Sequence, residues 1–133
     1  MISNCAGVEI VASQTANWER DQGFNVFQNV LQSHPDVQAV FACSDLMALG
    51  AVEAIAAAKK TGQVVVGFDA LPEAREAVQR GSMDATVAQF PATMGELAVE
   101  NAYRLIKGEP VKEETAVPIK LITKEDAGRD DPQ

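Results

Sequence analysis

The feature that most constrains this chain is a repeated alternation. Short runs of β-branched and apolar residues are each followed by a stretch with helical spacing. "VQAVFA" (37–42) leads into the Ala-rich "DLMALGAVEAIAAAKKTG" (45–62), and "QVVVGFD" (63–69) into "LPEAREAVQRG" (71–81). "MDATVAQF" (83–90) leads into "ATMGELAVENAYRLIKGE" (92–109), with Met94, Leu97, Ala98, Ala102, Leu105 and Ile106 on one helical face. Ahead of these, "GVEIVASQ" (7–14) reads as a strand. "NWERDQGFNVFQNVLQSHP" (17–35) reads as a helix that places Phe24, Phe27, Val30 and Leu31 together. Strands alternating with helices in this way build βαβ units on a parallel sheet, with right-handed crossovers. The expected fold is therefore α/β, a doubly wound parallel sheet of about four βα units. "AVPIKLIT" (116–123) follows as an edge segment, since Pro118 cannot donate to a ladder.

The punctuation agrees. Asn17 is available as a helix cap and Pro35 as a stop, and His34, just before that proline, is a turn residue. Gly62 follows a lysine-ended helix, Pro72 sits in a first turn, and Gly81 is a stop. The nearly all-apolar run 63–69 fits a strand covered on both faces. At 133 residues the chain amounts to one domain. Residues 1–124 are expected to form it, and the polar "EDAGRDDPQ" at the end a disordered tail over 125–133.

The net charge of −8 argues against a nucleic-acid partner, whose recognition rests on clustered Lys and Arg. No apolar run approaches the ~20 residues of a membrane span, so direct membrane insertion is not expected. The opening "MISNCAGVEIV" lacks the charged start and apolar core of a signal peptide. Cys5 and Cys43 are too few for a disulfide framework and, with the lone His34, show no zinc spacing. Cys43, closing an apolar run, is expected to be a small buried residue.

In an open α/β sheet, ligands bind beyond the carboxyl ends of the strands. Those ends supply Ser13 and Gln14, with Asn17 and Trp18 beyond; Ser44 and Asp45; Phe68 and Asp69; and Gln89 and Phe90. Ser44 and Asp45 have two readings, as helix caps, for which both types are preferred, or as groups facing a ligand. The set lacks catalytic equipment. His34 falls at the opposite edge, so no Ser–His–Asp arrangement forms, and there is neither GxGxxG nor GxxxxGK[ST]. Asp, Gln, Ser and Asn beside flat rings suit a polyol or sugar, whose hydroxyls pair with carboxylates and amides and whose C–H faces lie on aromatics. Neither enzymatic activity nor a cofactor is implied.

At these residues the chain resembles the C-terminal lobe of the periplasmic ribose-binding protein family of sugar ABC transporters. "ASQTANWERDQGFNVFQNVLQSHPDVQAVFACSDLMALGAVEAI", "VVVGFDALPEAREAVQRGSMDATVAQFP" and "LIKGEPV" follow the family pattern in order, over roughly residues 8–124. The resemblance implies a sugar held between two lobes and delivered to a membrane permease from the periplasm. It implies that Trp18 lies against the sugar ring, that Phe68 and Asp69 contribute a ring and a carboxylate, and Gln89 an amide. Ser44 stands where ribose binders typically have Asn, and Trp18 where they have Phe. Both departures point away from ribose itself, toward a larger or differently oriented ligand. Asp45 falls to capping and structure.

Two alternatives share parts of the pattern. Sugar-responsive repressors of the LacI class have this fold and a similar "SDLMALGA", but carry a helix-turn-helix. Phospho-receiver domains place an Asp at a strand end, but need an acidic pair after the first strand, where this chain has Ser13 and Gln14. A complete lobe of the ribose-binding family also begins with a further strand and helix carrying a ligand-contacting Arg. Nothing before Val8 supplies these, so an incomplete lobe without its partner lobe is the expectation. The missing central strand would lie between 8–13 and 38–42. The edge left unpaired by its absence invites a second chain, and a homodimer is expected.

Overall fold

The computed structural model describes residues 7–128. Cys5 and the end of the polar tail, 129–133, lie outside the described residues. In order, the elements are α1 (Arg20–Ser33), β1 (Ala39–Phe41), α2 (Asp45–Ala57), β2 (Val64–Phe68), α3 (Pro72–Arg80), β3 (Ala85–Ala88), α4 (Pro91–Ile106) and β4 (Lys120–Ile122). The strands form one sheet in the order β1-β2-β3-β4. β1, β2 and β3 run parallel and β4 closes the edge antiparallel to β3, with Val87 opposite Leu121. The α/β architecture expected from the alternation is the one observed.

The helices form where spacing and caps direct them. Ser44 caps α2 by accepting the Met47 N–H at 3.3 Å. α3 has Pro72 in its first turn and stops at Gly81, whose left-handed φ of 79° a side chain would resist. α1 departs from expectation at its start. Its N-cap is Glu19, without a side-chain cap bond, while Asn17 adopts a φ of 48° and donates its amide to Gln22 at 2.7 Å. His34 does end α1, its backbone N–H reaching the Val30 carbonyl at 2.7 Å.

The core lies on one side of the sheet. Val65, Ala88 and Ile122 pack there with Ala48 and Leu49 of α2, Ala74, Ala77 and Val78 of α3, and Met83. A second cluster joins Phe27, Val30 and Leu31 of α1 to Ala51 and Ala54 of α2. Side chains alternate across a strand, so Phe41, Val64, Val66, Phe68, Val87 and Leu121 share the opposite face, and none of them belongs to either cluster. Phe41, Val64 and Leu121 are exposed on it. The two-sided cover expected for 63–69 is thus not met among the described residues. Cys43 is exposed rather than buried, because it continues the alternation of Phe41 onto that same face.

The largest difference from the sequence reading is at 7–14. Those residues form no strand, and Val8, Ile10 and Val11 are exposed. A β-rich run becomes a strand only when a neighbour accepts its backbone bonds, and among the described residues β1 pairs on the β2 side alone. At the other end the chain stays packed past 124. Asp126 accepts from the Thr123 hydroxyl at 3.1 Å and Ala127 enters the core.

α1 and α2 cross at two glycines. A Cβ on Gly23 would lie 2.7 Å from the Met47 carbonyl oxygen, and one on Gly50 would strike the Arg20 carbonyl oxygen and lie 2.7 Å from the Phe24 nitrogen. Both obstacles are backbone, which cannot swing aside. Gly→Ala inside an open helix stabilises by about 1 kcal/mol; at Gly50 the sign is expected to reverse, with a loss of about 1–3 kcal/mol from overpacking. Urea denaturation of Gly50→Ala followed by circular dichroism checks this, and a higher midpoint would contradict the close crossing.

Candidate functional site

The carboxyl ends of β1, β2 and β3 open on one edge of the sheet, and a single buried side chain ties them together. Asp45, fully buried at the start of α2, accepts the Leu71 N–H at 2.7 Å through Oδ2 and the Thr86 hydroxyl at 2.7 Å through Oδ1. Thr86 Oγ1 in turn accepts the Ala70 N–H at 3.2 Å. Between these anchors the backbone turns left-handed at Asp69 (φ 114°) and Ala70 (φ 57°), an arrangement that L-residues keep only when their surroundings hold it. Gly67 is required beside it, since a Cβ there would run into Asp45 Oδ1.

The held turn presents Asp69 to Gln89. Gln89 Nε2 donates to Asp69 Oδ1 at 2.7 Å, joining two side chains twenty positions apart at the ends of neighbouring strands. Both are half-buried. The bond occupies Asp69 Oδ1 and one N–H of the Gln89 amide; Asp69 Oδ2 and Gln89 Oε1 are acceptors, and the second amide N–H of Gln89 is a donor. Hydroxyl groups, which both donate and accept, complement such a pair, as in a diol.

Ser44 is buried and its hydroxyl is engaged in the cap. The Ser44–Asp45 pair thus divides its work, the serine capping and the aspartate anchoring. Phe68 sits one residue before Asp69, half-buried on the open sheet face in register with Val87. Trp18 lies on the turn before α1 with a φ of 66° and is 63% exposed. That turn reaches the same rim because Arg20 bonds Glu73 at the start of α3 at 2.7 Å and Glu53 of α2 at 2.6 Å. The structure therefore joins Asp69 to Gln89 directly and holds Ser44 and Phe68 beside them, while Trp18 stands at the rim. Sequence reasoning missed Thr86 as a participant; a threonine inside an apolar strand was its one signal.

Burial pushes the Asp45 carboxyl upward from the usual carboxylate range, against the hydrogen bonds from Thr86 and Leu71 that lower it, with the charge of Asp69 raising it further. Arg20 is raised, first by its bond to Glu73. Among the described residues no cluster of His, Cys, Asp and Glu is arranged to hold a metal ion, and no helix is long and apolar enough to cross a membrane. A groove of about 500 Å³ lies elsewhere, between α4 and residues 110–115, lined by Leu97, Glu100, Asn101, Arg104 and Lys112 among others. It includes none of the strand-end residues.

The sequence profile of the periplasmic binding protein domain matches residues 2–110. The ribose import binding protein of Escherichia coli (strain K12) is 47% identical over 116 residues, which make up 87% of this chain and 39% of that protein. Among solved structures, the glucose-galactose binding protein of Geobacillus stearothermophilus superposes with a TM-score of 0.87 at 32% identity, over 92% of this chain and 44% of the other. The Caulobacter myo-inositol binding protein, bound to myo-inositol, superposes with a TM-score of 0.78 at 37% identity, over 90% and 42%. The chain spans about two fifths of the length of the curated relatives it matches.

Because the folded-state pKa of Asp45 lies above its unfolded value, the folded protein holds this proton more tightly. The contribution of Asp45 is most favourable below the ordinary carboxylate value and declines as pH rises through the interval up to the raised one. Relative to Asp45→Asn, the wild type is expected to lose stability across that interval; parallel pH profiles of the two would contradict it. Asp45→Ala removes the acceptor from two donors and is expected to destabilise by about 2–4 kcal/mol, measured by urea denaturation.

Proposed function

The chain belongs to the periplasmic binding protein domain family, and we propose that the described residues, 7–128, form a sugar-binding lobe of an ABC import system. The observation that carries the reading is the Asp69–Gln89 bond on a left-handed turn held from beneath by Asp45 and Thr86. Two neighbouring acceptors fixed at the carboxyl edge of a parallel sheet match vicinal hydroxyl donors, and their arrangement is set before the ligand arrives. Preorganisation of this kind lowers the ordering cost of binding. Trp18 supplies a ring for the C–H face of the ligand, and Phe68 borders the carboxylate. Ser44, engaged as a cap, adjusts selectivity through its small size. The cargoes named for the relatives, ribose and myo-inositol among them, fall within this chemistry.

The lobe is a binder and not an enzyme. The relatives it matches are binding proteins of import systems. Delivery to a permease in the periplasm follows from the same reading, as does closure of a second lobe over the sugar. The open edge of β1, which invites a second strand, adds self-association to the partners. One lobe alone leaves half of a monosaccharide in water, so weak binding, on the order of millimolar, is expected of this chain.

Titration with D-ribose, D-allose and myo-inositol, followed by saturation-transfer NMR, tests the site. With the lobe joined to the partner lobe of a relative, Asp69→Ala is expected to lose ~2–4 kcal/mol of binding, the effect of removing a charged hydrogen-bond partner, with the fold intact by circular dichroism. Unchanged affinity would remove Asp69 from the site. Ser44→Asn is expected to move preference toward ribose while the helix stays capped. An identical ranking of sugars for both forms would leave Ser44 a cap and nothing more.

A further inference from the structure

Trp18 and Asp69 sit on two turns of the same uncommon kind. Asn17 and Trp18 have φ of 48° and 66°, and Asp69 and Ala70 have φ of 114° and 57°. Each is a pair of side-chain-bearing residues with positive φ, a conformation that persists only where the surroundings hold it. The second turn is held from beneath by Asp45 and Thr86. In the first, the Glu19 N–H reaches the Ala16 carbonyl at 2.9 Å and the Asn17 amide reaches Gln22 at 2.7 Å, bonds that stay within the segment. Glu19, the N-cap of α1, makes no side-chain cap bond. The Trp18 ring is 63% exposed among the described residues, so its direction is set by this backbone more than by packing.

Arg20 joins the two turns. Its Nε and Nη2 donate to Glu53 Oε1 of α2 at 2.9 and 2.6 Å, and its Nη1 donates to Glu73 Oε1 of α3 at 2.7 Å. The two arms do different work. α1 is already seated on α2, because Gly23 and Gly50 let the backbones meet and the Arg20 carbonyl itself lies against Gly50. Glu53 is three residues from Gly50 on the same side of α2, so its arm repeats a contact that packing makes. The Glu73 arm repeats nothing of the kind. The apolar cluster of α1 includes residues of α2 and none of α3. Glu73 is the second residue of α3 and four past Asp69, and the Leu71 N–H between them is fixed on Asp45. A bond to Glu73 therefore ends on the same support that holds the Asp69 turn.

We propose that Arg20 is a positioning residue of the candidate site: through Glu73 it sets the turn that carries Trp18 against the turn that carries Asp69, and so fixes the span between ring and carboxylate. Arg20 itself touches no ligand. What the ring and carboxylate receive rests on the sugar reading above; the clamp between them does not. A guanidinium suits the task, since its planar fork addresses two carboxylates at once, whereas a lysine ammonium is a point charge on a flexible stem. The side chains of Arg20, Glu53 and Glu73 are 35%, 49% and 51% exposed. Pairs as exposed as these are screened by salt, so the freedom of the ring rises with ionic strength and the affinity of the site falls.

Trp18 is the one tryptophan of the sequence, so ¹⁵N relaxation of its indole N–H reports the ring directly in the full chain, with circular dichroism confirming each fold. Arg20→Met and Glu73→Ala are each expected to lower the indole order parameter by about a third, from the rigid toward the flexible range. About 0.5 M NaCl is expected to do the same to the wild type. Arg20→Lys is expected to fall between, and Glu53→Ala to stay near the wild type. An indole as ordered in Arg20→Met as in the wild type would overturn the clamp, and so would a loss as large in Glu53→Ala as in Glu73→Ala. Titration with D-ribose, D-allose and myo-inositol separates the clamp from the sugar reading. Glu73→Ala is expected to need about threefold more sugar than the wild type for the same indole response, the cost of a site less ordered beforehand. Equal midpoints would overturn the role of Arg20 in the site. A ring that loosens in Glu73→Ala while the wild-type indole answers no sugar would overturn the sugar reading and leave the clamp standing.

Discussion

One buried carboxylate organises this molecule. Asp45 begins α2, yet its oxygens reach the backbone leading into α3 and the side chain of β3. Removing it would leave donors of two other elements without an acceptor in a region closed to water, which is the condition under which a hydrogen bond matters most. The glycine of β2 at 67 exists to make room for it, and the left-handed turn at Asp69 and Ala70 persists because Asp45 and Thr86 hold both sides. The position of the Asp69 carboxylate, and with it of Gln89, is thus a consequence of a side chain that no ligand touches.

The same molecule is asymmetric in its cover. α1, α2 and α3 shield one face of the sheet through small residues: alanines 48, 51, 54, 74 and 77 are all buried, which lets the helices approach closely. Gly23 and Gly50 do the same where α1 crosses α2. The opposite face and α4 have no such partners among the described residues. The polar site sits on the carboxyl edge, rigidly supported from the covered side, while the apolar surfaces lie across the sheet and on α4.

Much of this is legible in the sequence, for identifiable reasons. All four helices and the strands at 39–41, 64–68 and 85–88 follow from periodicity and from local stops and starts such as Pro35, Ser44, Pro72 and Gly81, because those signals act within a few residues. The strand expected at 7–14 shows the limit. Val8, Ile10 and Val11 have strand-like side chains, but pairing is supplied by a neighbour and not by composition. Cys43 failed in the same way: its burial depended on a cover for the far face that local pattern does not report. At the site, the residue types at the strand ends were readable, whereas the Asp69–Gln89 bond and the Asp45–Thr86 anchor join positions 20 and 41 apart. The roles within "SD" at 44–45 separate only once Ser44 is seen to cap and Asp45 to point inward.

On the proposed function, ligand recognition resides at the strand ends organised by Asp45. The most direct measurement is a ¹H–¹⁵N correlation spectrum of the chain titrated with D-ribose, D-allose and myo-inositol. Saturable shifts are expected in the Gln89 side-chain amide, the backbone of 68–71 and the indole of Trp18, with the lining of the groove at α4 and 110–115 unmoved. Shifts confined to that groove, or a Gln89 amide indifferent to every sugar tried, would contradict it.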